Sequence, residues 1–513
     1  MSAEPRTVLE IAVQPTPATR LRAVPSRVLN FLPQREGAFW VLFALAVPKV
    51  FGPVFTVLLA RFLGPGAAGL YNLSAVPYKF LDNFRNFGTG PALVYERKVS
   101  KAAADTAWVL NMVFAVIITG LLNLAAHWLA YSYFGHPEIE PILRWLSIAY
   151  IFASVGAVHY FLLLRDLDFR ARSVPPLGQV IVAGDVAVVM AIWGFGVGAL
   201  VGRELTSVIL GAILLWAVYP YRPSLRFVPQ LAWRLFRYGV WVGLGLTILY
   251  ASQNIDVTIG GKVIRSKSDI GFYTTSWKLA FIAAGIFTLV ASSMVFPSLS
   301  RLQDDLSALR ALLLKSFRQV GFIMFPAALL LAALAPVIIV PLLGDKWIHY
   351  RDSFIVLSLL SIYAGNRTML SIFFEGYKSI GKPWIVPIYN GVKLAIMIPS
   401  MIYGAQHGII GLALVYIPVQ VIETPIALAL ADHYLDVSPA EIWRAAWVPI
   451  TMALLMAGAV IVTEVVFLSV VPIGDTFTLL LSLPVAAVTY LGGTYLIDRQ
   501  IFSEARRVLL RGL

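Results

Sequence analysis

The sequence predicts an all-α polytopic membrane protein of about fourteen transmembrane helices, and three observations carry that reading. Of 513 residues, 59% are hydrophobic and only 13% charged, whereas a soluble domain carries about 25% charged residues. So few polar side chains cannot cover a water-soluble globule, which excludes soluble enzymes, coiled coils and disordered chains. The apolar residues also gather into runs of about 20, the length that crosses a bilayer as a helix. Finally, the net charge of +13 is dispersed between those runs. Lys and Arg in short loops are the orientation signal of membrane insertion, so the charge gives no reason to expect a nucleic-acid partner.

The chain has no cysteine, which excludes disulfides, iron–sulfur clusters and a thiol nucleophile. Its six histidines form no HxH or HxxxH pair, so no metal site is expected. Walker A, HExxH and GxSxG motifs are absent. No catalytic residue is therefore assigned, and the chain is not expected to be an enzyme.

Residues 1–37 hold no apolar run of signal-peptide length and read as a cytoplasmic tail. Arg20, Arg22 and Arg27, interleaved with Leu21, Val24, Val28 and Leu29, suit either a solvated tail or a stretch lying on anionic headgroups. Spans follow at about 39–60, 70–95, 107–132, 142–164, 174–193, 197–218, 239–260, 271–298, 319–343, 353–376, 384–403, 408–431, 446–468 and 477–497. With the N-terminus inside, 26 of the 40 Lys and Arg fall in inside segments and 6 in outside loops. That asymmetry places both termini in the cytoplasm. Residues 301–318 put Leu302, Leu306, Leu309 and Leu313 at helical spacing, predicting a short amphipathic helix on the cytoplasmic face. Residues 227–238 do the same before the seventh span. The resulting organisation is a tail (1–37), an N-lobe of six spans (38–218), a cytoplasmic amphipathic linker (219–238), a C-lobe of six spans (239–431), a C-terminal pair of spans (432–497) and a cytoplasmic tail (498–513).

An internal echo supports two lobes. ARFLGPGAAGLY (60–71) joins spans 1 and 2, and GKVIRSKSDIGFY (261–273) joins spans 7 and 8. Gly69 and Tyr71 align with Gly271 and Tyr273. Six spans separate the copies, and an even number preserves direction, so the repeats are parallel, as in transporters with a site between the halves.

The run LLARFLGPGAAGLYNLSAVPYKFLDNFRNFG resembles the opening of bacterial polysaccharide flippases of the Wzx type, within the multidrug/oligosaccharidyl-lipid/polysaccharide exporter superfamily. LFRYGVWVGLGLTILYASQNIDVTIGGKVIRSKSDIGFYTTSWKLA, then MVFPSLSRLQDD and LLGDKWIHYRDSFIVLSLLSI, resemble that family in order and spacing. The similarity covers roughly residues 35–435. It implies a V-shaped, two-lobed transporter, a monomer, in the bacterial cytoplasmic membrane. Its substrate would be an undecaprenyl-diphosphate-linked oligosaccharide carried to the outer leaflet, with the polysaccharide polymerase machinery as a further partner.

Ionisable residues within spans are costly and mark function by default. Lys49, between Pro48 and Pro53, suits either a substrate contact or an ion pair with a carboxylate such as Asp82. Lys79, Asp82 and Arg85 stand at i, i+3, i+6, beside Asn83 and Asn86. They form either a self-neutralising ladder or a stripe with a cation to spare. Lys278 lies near the level equivalent to Lys79, while Arg367 and Lys393 accompany Asn366 and Asn390. Lys278 suits a substrate contact or snorkelling to the outer surface, and Arg367 and Lys393 each suit a diphosphate or pairing with Glu375 or Glu423. Arg203 and Glu204 are adjacent and read as structural. These cations outnumber the carboxylates within spans, which favours an anionic substrate. For Na⁺ or H⁺ coupling the candidate is Asp256, beside Gln253, Asn254 and Thr258, with Asp185 and Glu423 behind it. Asp256 also suits a counter-ion role for Lys49 or Lys278. No other cofactor is expected.

The reading is therefore a flippase for lipid-linked oligosaccharide working by alternating access. A multidrug exporter of the same superfamily is the first alternative, but cationic drugs call for an anionic cavity. A membrane polysaccharide polymerase or ligase is the second, but outside loops such as 133–141, 194–196 and 404–407 are short. The glycan and the pathway are not readable from these residues.

Overall fold

Each long helix starts and stops where local chemistry directs. In the computed structural model, which describes residues 37–85, 89–95, 99–166, 169–290, 295–467 and 474–499, the first helix, α1 (Gly37–Leu63), ends at Gly64, whose φ of +79° is left-handed. Only glycine adopts that turn without strain. Pro65 then opens α2 (Pro65–Arg85) at the position where a missing N–H costs nothing. The second span thus begins earlier than the apolar run suggests, and a short helix, Thr89–Tyr95, lies within its predicted bounds.

Ser100 caps α3 (Lys101–His127) by accepting from the Ala103 N–H, and a π-helical turn, Trp128–Tyr133, extends it. Then come α4 (Ile139–Arg165), α5 (Phe169–Ile192) and α6 (Gly198–Val218). The helix α7 (Pro229–Val263) runs 35 residues and breaks at Asn254, which has non-helical angles. After it lie α8 (Lys267–Val290), α9 (Leu306–Leu343), α10 (Phe354–Ser379), α11 (Ile385–Ala405) and α12 (Gly408–Leu435). The last pair is α13 (Pro439–Val465), opened by a Ser438–Glu441 capping box, and α14 (Asp475–Ile497).

Among the described residues, ten helices (α3–α6 and α9–α14) are long and apolar enough to cross a membrane by length and composition. The helices α1, α2, α7 and α8 stand where the sequence marks four further spans, and the count of fourteen rests on them. The tail carrying Arg20, Arg22 and Arg27 lies outside the described residues, as does Asn86.

The stretch 301–318 is not a separate surface helix. Asp305 caps a continuous helix that runs on to Leu343. Nothing in 306–320 breaks a helix, so the amphipathic segment is simply the first turns of α9. Its Leu309 and Leu313 are buried, while Leu306 is exposed. Residues 229–238 likewise run directly into α7.

In the N-lobe α1 packs on α5, α5 on α6, α3 on α4 and α4 on α6. In the C-lobe α9 packs on α10, α10 on α8 and α12, and α11 on α7. The α13–α14 pair docks on α9. The lobes meet where α2 crosses α8, and the contact is reciprocal. A Cβ at Gly69 would lie 1.7 Å from the Lys267 carbonyl oxygen, and one at Gly271 would lie 1.9 Å from the Pro65 carbonyl oxygen. The aligned glycines of the two copies thus face each other across a local two-fold axis, as in a symmetric interface. The largest buried cluster, including Leu73, Tyr150, Phe272 and Trp347, surrounds this seam. In a 3₁₀ turn, Asp345–Ser353, Trp347 donates its indole N–H to the Ala60 carbonyl at 2.9 Å.

Candidate functional site: a cationic cavity between the lobes

Four cavities run from α1 through the bundle to the C-lobe, joined by shared walls. One of about 250 Å³ lies between α1 and α8 and holds Lys49, Arg203 and Lys278. It shares Thr56, Arg203 and Lys278 with an N-lobe cavity of about 300 Å³ that also holds Lys79 and Glu204. That cavity shares Tyr71, Asn72, Lys79 and Lys278 with a central one of about 250 Å³, bounded by Asp256. The last, in the C-lobe, is a slot of only about 10 Å³ between Arg367, Asn390 and Lys393. It joins the central cavity through Gln253 and Trp277.

Lys278 lines three of the four cavities. Its ammonium donates to Asn72 Oδ1 at 2.7 Å, and Asn72 Nδ2 donates to Thr274 Oγ1 at 2.7 Å. It forms no ion pair among the described residues. Lys79 and Arg203 line the N-lobe cavity with it, and both are cations. The Lys49 ammonium lies 3.6 Å from where a Gly285 Cβ would stand, so α1 presents it against α8. It has no carboxylate partner among the described residues.

The remaining cations are arranged otherwise. Arg85 bonds Asp82 Oδ1 at 2.6 Å and lines none of these cavities. That interaction takes the one carboxylate of the α2 stripe and leaves Lys79 without it. Lys393, 11% exposed, pairs with Glu423 at 3.0 Å and donates to the Tyr363 hydroxyl at 2.6 Å. Glu375 is taken by Lys378 at 2.7 Å. Arg367 lies over the Phe281 ring, 5.6 Å from its centroid.

Asp256 is buried at 2% exposure. Its Oδ2 accepts from the Tyr273 hydroxyl at 2.7 Å and the Tyr416 hydroxyl at 3.0 Å, and its Oδ1 accepts from the Val257 N–H at 2.8 Å. The last bond falls just after the Asn254 break. Thr258 and Asn254, expected beside it as oxygen ligands, turn their donors to backbone carbonyls of α7 instead. Asp185 is exposed on α5 and lines none of the four cavities.

Two residues that sequence reasoning passed over stand in these walls. Arg203 and Glu204, adjacent and hence on different faces of α6, read as structural in the sequence, each paired with neighbours. Glu204 accepts from the Tyr71 and Tyr78 hydroxyls, both at 3.3 Å, and Arg203 faces the cavities. Consecutive helical residues point about 100° apart, so Glu204 meets the tyrosines while Arg203 meets the cavity. The other is Trp277, at the neck between central and C-lobe cavities.

A two-lobed helical bundle with polar residues lining a cavity between its lobes is a polytopic membrane transporter in architecture. The chain belongs to the family of polysaccharide biosynthesis proteins, whose pattern matches residues 58–352, and the resemblance to the Wzx type of the multidrug/oligosaccharidyl-lipid/polysaccharide exporter superfamily stands with it. It is 24% identical over 426 residues to the lipopolysaccharide biosynthesis protein WzxC of Escherichia coli K12, covering 82% of this chain and 85% of that one. With the succinoglycan biosynthesis transport protein ExoT of Rhizobium meliloti it shares 24% identity over 404 residues, 78% of each chain. In fold it matches the lipid II flippase MurJ in an inward closed conformation, with TM-score 0.70, 14% identity and coverage of 91% of this chain and 100% of that one. A structure of a MATE protein in complex with MaL6 matches at TM-score 0.55 and 13% identity, over 78% of this chain and 96% of that one.

Proposed function

We propose that this protein moves a polyprenyl-diphosphate-linked oligosaccharide from the inner to the outer leaflet of the bacterial cytoplasmic membrane, with both termini on the cytoplasmic side. The observation that carries the reading is the cluster of Lys49, Lys79, Arg203 and Lys278 around connected cavities. No carboxylate pairs with Lys49, Lys79 or Lys278 among the described residues. Lys49, Lys79 and Lys278 are exposed to these cavities, and cations within membrane-spanning helices that face a cavity mark a substrate path. A diphosphate supplies the missing charge, and Arg203 suits its oxygens through a planar fork. The hydrophilic headgroup would then occupy the cavities while the polyprenyl chain stays in lipid, since only the headgroup needs help in crossing hydrocarbon. A cavity of this sign repels cationic drugs, which counts against the exporter alternative.

The lobes would rock about the seam between α2 and α8, exposing the site to each side in turn. Coupling to Na⁺ or H⁺ at Asp256 is part of the same proposal, supported by its burial and by its place at the break of α7. The test is flipping of a fluorescent lipid-linked oligosaccharide in proteoliposomes. Lys278→Gln and Lys49→Gln should each abolish it while the protein remains folded in the membrane. Flipping at the wild-type rate by both variants would overturn the diphosphate site.

A further inference from the structure

Trp277 differs from the other tryptophans whose surroundings are described. Trp108, Trp216 and Trp347 each donate the indole N–H to a backbone carbonyl. Trp128, Trp145, Trp193, Trp233, Trp384, Trp443 and Trp447 are exposed on the outside of the bundle. Trp277 is half-buried within α8, its N–H has no acceptor among the described residues, and its ring lines two cavities at once. A polar handle left open inside a membrane-spanning bundle is costly without a ligand or water to take it. The ring itself is held firmly. Phe281 stacks on it with centroids 4.5 Å apart, and Tyr363 and Tyr416 lean on it at 5.7 and 5.4 Å. Gln253, exposed on α7 and sharing both cavities, offers an amide with no side-chain bond among the described residues.

A rigid aromatic plate beside free amide and N–H donors is the chemistry that recognises a sugar. A pyranose presents a face of C–H groups that lies flat on an aromatic ring, while its hydroxyls reach sideways to amides. Such a wall fits the general pattern of apolar and aromatic lining with a few placed polar groups. Its position relative to the charge also suits the substrate. Trp277 directly precedes Lys278, so the two side chains leave α8 about 100° apart with Cα atoms about 3.8 Å apart. Lys278 faces the cationic N-lobe cavity, and Trp277 faces the neck toward the C-lobe. In a lipid-linked oligosaccharide the first sugar is bonded to the terminal phosphate itself. A phosphate at Lys278 therefore puts that sugar within reach of Trp277.

We propose that Trp277, with Gln253, is the sugar-recognition platform of this site, taking the first pyranose of the headgroup while Lys278 takes the diphosphate. The proposal rests on the flippase reading given above and makes Trp277 a specificity residue.

The experiment measures binding of two ligands, undecaprenyl diphosphate and undecaprenyl-diphosphate-linked oligosaccharide, to the full-length protein in nanodiscs. Trp277→Ala should weaken the sugar-bearing lipid roughly tenfold, the size expected for removing one buried aromatic contact, and leave the bare diphosphate lipid unchanged. Trp277→Phe, which keeps a ring and loses the N–H, should fall between. Lys278→Gln should weaken both ligands alike. Equal loss of both ligands in Trp277→Ala would make the ring a packing element and overturn the platform, as would no loss of either. If the wild-type protein binds neither lipid, the flippase reading itself falls and the platform with it.

Discussion

The glycine seam gives the sharpest quantitative test. Gly69→Ala adds a Cβ 1.7 Å from the Lys267 carbonyl oxygen, where real Cβ atoms stay beyond 3.0 Å. The obstacle is backbone in the first turn of α8, not the end of a flexible side chain, so α2 and α8 must part by about 1.3 Å, the difference between those distances. That movement stretches the Asn72–Thr274 bond of 2.7 Å to about 4 Å, beyond any hydrogen bond. Overpacking costs about 1–3 kcal/mol and a lost hydrogen bond about 0.5–1.5 kcal/mol, so about 3 kcal/mol bears on the closed seam alone. At tenfold per about 1.4 kcal/mol, a state favoured about 99:1 falls to roughly 1:1. Because the chain has no cysteine, a crosslink reports this directly. A Gly66 Cβ would stand 3.4 Å from Ser268 Oγ across the seam, so the pair Gly66→Cys and Ser268→Cys should oxidise readily in the parent. Adding Gly69→Ala should cut that yield and slow flipping, whereas Gly120→Ala, with nothing within 4 Å, should change neither. Undiminished crosslinking and flipping in Gly69→Ala would refute the claim that close approach of the glycines holds this end shut.

Three further outcomes follow from the same coordinates. Single cysteines at Ser132 or Gly474 should react with an impermeant maleimide from outside and one at Ser100 should not, and labelling in the opposite sense would invert the topology. Asp256→Asn should still bind lipid-linked oligosaccharide but lose the response to an imposed Na⁺ or proton gradient, a driving force of about 2.3 kcal/mol per charge per 100 mV. Identical responses from variant and wild type would make the carboxylate a fixed anchor for Tyr273 and Tyr416. Glu423→Gln strands the Lys393 ammonium at 11% exposure and should lower stability by about 3–5 kcal/mol, read as loss of folded protein in the membrane. Adding Lys393→Met should recover much of it, and a single variant as stable as wild type would show that the ion pair is dispensable.

The membrane class, the helical spans and the family were legible in the sequence because apolar runs and local motifs encode them directly. The pairing of Gly69 with Gly271 was legible too, as an alignment of two loops at a constant offset. Rotation of each helix was not. In a soluble protein the apolar stripe tells which face is buried, but a helix packed between lipid and protein is apolar on both sides. That is why Arg203 looked structural beside Glu204, and why Arg85 looked as available as Lys79 until Asp82 was seen to hold it. The end of the surface segment at 301–318 was lost for a related reason. Amphipathic spacing marks a face but not a boundary, and no Gly or Pro separates that segment from the ninth span before Gly321.

The carboxylates beside the site are held by tyrosines and not by its cations. Tyr71 of the first copy donates to Glu204, and Tyr273, its counterpart in the second, donates to Asp256. A second tyrosine joins each pair, Tyr78 on Glu204 and Tyr416 on Asp256. Both carboxylates are thus satisfied by neutral hydroxyls from within the bundle, with no lysine or arginine among the donors. Had the same carboxylates formed ion pairs, Lys79, Arg203 and Lys278 would have been largely neutralised and the cavity would have had little use for an anion. Tyrosine bonds to both carboxylates instead leave the cations unspent on internal partners. Glu204 on the cavity wall offsets part of the Coulomb repulsion among the three cations there, and an anion that enters from outside relieves the rest. Replacing Tyr71 and Tyr78 by Phe should release Glu204 toward Arg203 and weaken diphosphate-lipid binding without removing a single positive charge. Unchanged affinity in that double variant would mean that the hydroxyls hold the fold and not the charge balance.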